Sequence, residues 1–216
     1  MVNQTLKTIK HHVAHHFDTA EQEFESAKLG MWLFIGQEIL FFGALFVAYA
    51  VFRSYYPEMF VEAASHLSWK MGALNTVFLI TSSLTMVLGV RYAQLGERRK
   101  LIFFLSTTFL FATAFLVVKY FEYMEKIHHG FLPSVWFSGS GTFEELPIFF
   151  GLYFLMTGLH GLHVLIGMGL IAWLIVRSYK GHFYEDYYTP VEMVGLYWHL
   201  VDMIWIFLFP MMYLIG

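Results

Sequence analysis

Five blocks of the chain are long, apolar and almost free of charge, and nothing else limits its folding so strongly. They run Leu29–Phe52, Ala73–Leu95, Leu101–Tyr120, Pro147–Val176 and Val191–Ile215. A hydrocarbon core of ~30 Å is crossed by about 20 apolar residues in helix, and each block reaches that length. In hydrocarbon a backbone must satisfy its own hydrogen bonds, and blocks this long do so as helices rather than barrel strands. Composition agrees. Hydrophobic residues make up 58% and charged residues 13% of 216, against roughly 45–50% and about 25% in soluble domains. The expected fold is all-α, a polytopic membrane bundle of five transmembrane helices. The fourth is long enough to tilt or to protrude.

Lysine and arginine set the expected orientation. Lys7, Lys10, Lys28, Arg91, Arg98, Arg99, Lys100, Arg177 and Lys180 fall in the N-terminal tail and the second and fourth connections. Arg53, Lys70, Lys119 and Lys126 fall on the opposite side. The N-terminus is therefore expected in the cytoplasm and the C-terminus outside. Residues 1–27 read as a polar tail in which Asp18 and Glu21 have capping-box spacing. That box would open a short helix lying on the membrane surface; a disordered tail is the competing reading. The tail lacks the order of a cleavable signal peptide, and residues 28–216 read as one transmembrane domain. Cysteine is absent, which removes disulfides, thiolate metal sites, iron–sulfur clusters and covalent haem attachment. A net charge of -3 with scattered cations gives no reason to expect nucleic acid as a partner.

Ionisable residues at membrane depth are costly, so each requires a reason. Glu38 lies mid-way along the first span. The second carries a small or polar stripe of Asn75, Ser82, Thr85 and Gly89 at helical spacing. The fourth carries His160 and His163 at i and i+3, and the fifth carries Glu192, Gly195, His199 and Asp202 on one face. Counting from the span ends puts Glu38, His160, His163, His199 and Asp202 at similar depth, where they could meet as one hydrogen-bonded cluster. Three readings stay open. The cluster is interhelical glue, a proton-active carboxylate at Glu38, or a metal or haem site. Imidazoles three residues apart project to one side and cannot both be axial ligands of one haem. Gly30, Gly36, Gly43, Gly158, Gly161, Gly167 and Gly169 read as points of close helix approach.

From Gly30 onward, six stretches together carry a resemblance. They are Gly30-Met-Trp-Leu-Phe-Ile-Gly-Gln-Glu-Ile-Leu-Phe-Phe-Gly43, Leu74-Asn-Thr76, Gly96-Glu-Arg-Arg-Lys100, Glu122-Tyr123, Thr157-Gly-Leu-His-Gly-Leu-His-Val164 and Tyr197-Trp-His-Leu-Val-Asp-Met-Ile-Trp205. In this order, over all five spans, they resemble subunit III of the haem–copper respiratory oxidases, the cytochrome c oxidase type. The likeness covers roughly residues 28–216 and leaves out the His-rich tail.

The resemblance implies a subunit with no redox centre and no catalytic residue or metal of its own, with haem and copper held by partner subunits I and II. It implies packing against subunit I, structural phospholipid, sustained proton uptake and protection during turnover. The setting would be a bacterial cytoplasmic (inner) membrane, with a larger respiratory supercomplex as a further partner. Glu38 matches a membrane-buried glutamate that reacts with hydrophobic carbodiimides, and Arg177 an arginine that contacts lipid phosphate. His160, His163, Glu192, His199 and Asp202 match motif positions read as structural. Many members have seven spans, the first two forming one arm of a lipid cleft. Five-span members also occur, and in them another chain, such as an extended subunit I, must complete the cleft. Alternatives are subunit III of a quinol oxidase, a subunit III-like accessory protein of nitric-oxide reductase, and an independent transporter. A transporter would carry inverted repeats or broken helices, and the sequence has neither.

Overall fold

A computed structural model of the chain describes residues 17–132, 137, 139, 143–185 and 187–215; Lys7, Lys10 and the histidines of the tail up to residue 16 lie outside them. Six helices follow one another: α1 (Ala20–Tyr55), α2 (Pro57–Ser65), α3 (Trp69–Gln94), α4 (Arg98–His128), α5 (Leu146–Tyr179) and α6 (Thr189–Tyr213). Five of them, all but α2, are long and apolar enough to cross a membrane. The five spans expected from the sequence are therefore present. Most outrun their apolar blocks, because a helix that leaves hydrocarbon keeps satisfying its own backbone. The 34 residues of α5 extend about 51 Å at ~1.5 Å per residue. Among the described residues the fold is all-helical, apart from one bridge between Tyr184 and Tyr187.

The start of α1 differs from expectation. Thr19, not Asp18, is the N-cap, and its side chain accepts a hydrogen bond from the Gln22 backbone N–H at 3.1 Å. Gln22 reciprocates one residue upstream, accepting from Asp18 N–H at 2.9 Å. Thr19 and Gln22 thus supply the capping-box pairing that Asp18 and Glu21 also have by spacing. The helix then runs through residue 28 without a break. Among the described residues the segment ahead of the first span is therefore part of α1 itself.

Along the chain α1, α3, α4, α5 and α6 alternate in direction, so the start of α1, the α3–α4 turn and the α5–α6 link share one side. Gly96, at φ 66°, ends α3 there, in a left-handed conformation that suits glycine. The N–H of Glu97 then reaches back to the carbonyl of Tyr92 at 3.0 Å, which closes the helix end. α3 and α4 consequently pair as a tight antiparallel hairpin, with Tyr92 stacked on Phe104 (ring centroids 5.3 Å apart) and Thr85 bonded to Thr108 at 2.8 Å. α6 touches α1, α3 and α5 and buries Trp198 and Trp205 completely. It is the axis of the bundle.

Polar atoms on α3 serve that axis. Trp198 Nε1–H donates to Ser82 Oγ at 3.0 Å, and Trp205 Nε1–H to Thr76 Oγ1 at 3.1 Å. The expected α3 stripe is buried, but it divides its contacts between α6 and α4. On the opposite side the short α2 turns Met59, Phe60, Ala63 and Ala64 inward. Phe60 packs edge-to-face on Tyr49 and Phe149 at 5.2 and 5.3 Å.

Glycines behave differently from expectation. A Cβ on Gly167 would lie 2.7 Å from Trp198 Cζ3, so this glycine does let α5 and α6 close up. Gly30, Gly36, Gly43, Gly161 and Gly169 have nothing within 4 Å of that position, and Gly158 meets only the Tyr123 hydroxyl at 3.7 Å. On α1 the glycines lie away from the contact stripe of Ile35, Glu38, Phe42 and Tyr49. They face outward because only one side of this peripheral helix is covered.

Candidate functional site

Glu38 is brought to α5. Its Oε2 lies 3.2 Å from His163 Nε2, and both side chains are largely buried. His163 Nδ1 is 2.8 Å from the Leu159 carbonyl one turn earlier on the same helix. A carbonyl only accepts, so Nδ1 carries a proton. The Nε2···Oε2 contact then holds one shared proton, as O–H···N between neutral partners or N–H···O between charged ones. Phe42 covers the imidazole edge-to-face at 5.3 Å, and Tyr197 donates to the His163 carbonyl at 2.9 Å. The pair is a polar rivet between α1 and α5, walled by aromatic rings. Tyr49 makes a second rivet, its hydroxyl donating to the Met211 carbonyl on α6.

The other expected members do not join this pair. His160 is fully buried, lies between Phe115 and Trp205 (ring centroids 5.5 and 5.2 Å away) and has no hydrogen bond among the described residues. His199 faces α3, with Nδ1 2.8 Å from Ser83 Oγ. Asp202 stands one turn further along α6 in the same groove, and Glu192 lines the neighbouring groove with Arg91. The single cluster expected from depth alone is thus three separate groups, because helix rotation points them to different neighbours. Among the described residues no three His, Asp or Glu side chains converge as a metal site would need. Arg177 ends α5 with its guanidinium 5.0 Å over the Trp173 ring and 5.9 Å over Phe183. Such stacking fixes the guanidinium plane.

The most connected polar site was not read as a site from the sequence, where Glu122 stood only in a motif and Lys119 only among the charges. Lys119 and Glu122 on α4 form an ion pair at 3.1 Å, with exposures of only 8% and 0%. Lys119 Nζ also donates to Tyr213 at 2.8 Å and Tyr153 at 3.2 Å. Both hydroxyls in turn donate to Glu122 Oε1, at 2.5 and 2.9 Å. Four rings surround the ammonium: Tyr123, Tyr153, Trp205 and Tyr213 lie 4.9–5.5 Å from it, within cation–π range. Three helices, α4, α5 and α6, meet on this one cation. Lys126, also buried, sits 3.5 Å from Glu125. The signal was the i, i+3 spacing of Lys119 and Glu122, obscured because the apolar block ends between them, at Tyr120, and Lys119 was counted among the charges of the opposite side.

Five membrane-crossing helices locked by internal polar pairs define an integral, multi-pass membrane protein. The profile of the family "Cytochrome c oxidase subunit III" matches residues 7–216. The chain belongs to that family, and so is a subunit III of the haem–copper oxidases, which are enzyme complexes. The match takes in most of the tail that the motifs left out. A cytochrome c oxidase subunit 3 of Corynebacterium diphtheriae is 32% identical over 189 residues, 87% of each chain. Cytochrome bo(3) ubiquinol oxidase subunit 3 of Pseudomonas putida is 28% identical over 87% of this chain and 85% of its own. Heme-copper oxidase subunit I+III of Aeropyrum pernix is 30% identical over 93% of this chain and 24% of its own.

The buried ion pair generates a prediction. Removing one partner strands the other charge in the bundle, at a cost of about 3–5 kcal/mol. Lys119→Met and Glu122→Gln are each expected to lower the thermal midpoint in detergent sharply. The double variant should recover more than half of the loss, since no lone charge remains. Additive losses in the double variant would contradict the pairing.

Proposed function

We propose that this chain is the non-catalytic subunit III of a proton-translocating terminal oxidase in a bacterial cytoplasmic membrane, packed against subunit I and sustaining its proton uptake. The observation that carries the reading is the family match over residues 7–216. Absence of cysteine supports placing the dinuclear copper centre in subunit II, since that centre is built on thiolates. The Aeropyrum pernix relative, named as subunit I+III, supports direct contact with subunit I and an extended subunit I as the completion of the lipid cleft. Electron donor is a choice between two readings. The matching family and the Corynebacterium diphtheriae relative are named for cytochrome c, and the Pseudomonas putida relative favours quinol as the second reading.

The proposed orientation keeps the N-terminus in the cytoplasm. Burial of Lys119 and Lys126 supports it, because these two cations serve the bundle interior and leave Arg53 and Lys70 as the remaining ones on the far side. On the near side stand Arg91, Arg98, Arg99, Lys100, Arg177 and Lys180. Arg177, its plane fixed by Trp173 and Phe183, suits a phospholipid phosphate at the interface. Glu38 is the carboxyl we assign to carbodiimide chemistry. In the neutral form of its pair with His163 the carboxyl carries the shared proton, and that is the form a carbodiimide attacks. Membrane-soluble carbodiimide is expected to label Glu38 and to leave Glu38→Gln unlabelled; labelling at Asp202 or Glu192 instead would reverse the assignment.

Function in the complex has its own test. Oxygen consumption is followed against pH and turnover number, with and without this chain, in the same lipid. Loss of the chain should leave haem absorbance and initial electron transfer intact, slow turnover at neutral and alkaline pH, and hasten inactivation. Immediate loss of haem absorbance, or an unchanged profile with unchanged decay, would contradict the proposed role.

A further inference from the structure

The outer face where α3 meets α6 carries an imidazole nitrogen that no residue of the described chain satisfies. Two grooves of about 370 and 290 Å³ share Val87 and His199 and form one trough. From Ile80 to Gln94 on α3 it runs about 21 Å at ~1.5 Å per residue, most of a hydrocarbon core. Leu84 and Met203 on its walls are 59% and 52% exposed. Arg91 and Glu192 stand at one end, and Ser83, His199 and Asp202 line the other groove.

Proton counting defines what the trough lacks. Asp202 is 3% exposed, and its carboxyl oxygens form no well-aligned hydrogen bond. The Ser83 hydroxyl is its polar neighbour and also lies 2.8 Å from His199 Nδ1. A serine has one proton and a neutral imidazole has one donor and one acceptor nitrogen. The proton between Ser83 Oγ and His199 Nδ1 can therefore run in either direction, and each direction leaves Nε2 with one unmet bond at the trough. A hydroxyl or carboxamide, which both donates and accepts, meets either state. A lipid acyl chain meets neither, and an unmet polar group at this depth is costly.

We propose that this trough seats a transmembrane helix of a partner subunit, which hydrogen-bonds His199 Nε2 through a hydroxyl or carboxamide side chain. The proposal rests on the chain's place in an oxidase complex and names the face it presents there. Trough length and the charged pair at one end fit a helix that leaves the membrane beside Arg91 and Glu192.

The test places a diazirine-bearing residue at Leu84 or Met203 of the tagged chain, with Leu110 on α4 (66% exposed) as comparator. Membranes holding the intact complex are irradiated, and the adducts in the purified complex are identified by mass. Both trough positions are expected to cross-link to one partner chain. Adducts to lipid alone, or to a second copy of this chain, while haem-bearing subunits co-purify would overturn the docking proposal and leave complex membership standing. A haem-free preparation would remove the membership reading, and the proposal with it. His199→Leu should lower retention of partner subunits through detergent washing by about threefold to tenfold, and His199→Gln by less. Equal retention in all three would exclude the hydrogen bond.

Discussion

Hydrocarbon offers a polar side chain no partner, so each one inside this bundle must find its bonds in another helix. Lys119 answers that constraint most completely. Its ammonium is met by Glu122, by the hydroxyls of Tyr153 and Tyr213 and by four aromatic rings. Because these groups come from α4, α5 and α6, satisfying one charge fixes the mutual rotation of three helices. Rings lining the same site then extend the order inward, from Trp205 to His160 and Phe115. Aromatic packing without the ion pair would hold these helices together but leave their rotation less defined.

α1 stands outside this core and is tied to it differently. Only Ile35, Glu38, Phe42 and Tyr49 are buried along its length, and its polar ties to its neighbours include the Glu38–His163 pair and the Tyr49 bond to the Met211 carbonyl. A helix held by so narrow a stripe leaves most of its surface to other molecules. That is the behaviour expected of a subunit whose neighbours are lipid and other chains. The Ser83–His199–Asp202 group on the far side of α6 makes the same point from the opposite face.

The spans were legible because hydropathy and length decide them, and each of the five apolar blocks became a helix. The common level of Glu38 and His163 was legible too, since residues can be counted from the span ends and these two side chains meet. Rotation about the helix axis was not. A membrane helix is apolar nearly all round, so it carries little of the amphipathic signal that orients a soluble helix. Hence Glu38 and His163 met as expected, whereas His160 turned into the Trp205 core and His199 turned to Ser83. The ends failed for another reason. Asp18/Glu21 and Thr19/Gln22 have equal capping-box spacing, and spacing alone could not choose between them. Lys119 was counted with the far-side charges because it lies one residue from the end of its apolar block, whereas the helix continues to His128 and buries the lysine in the bundle.

The central claim, that this chain is the subunit III of a haem–copper oxidase, is open to one direct measurement. The tagged chain is purified from native membranes in mild detergent, and the reduced-minus-oxidised spectrum of the eluate is recorded with the masses of the co-eluting chains. The account predicts haem absorbance in fixed proportion to this chain, with subunits I and II present. A folded, five-helix chain that elutes without haem and without those subunits would contradict it.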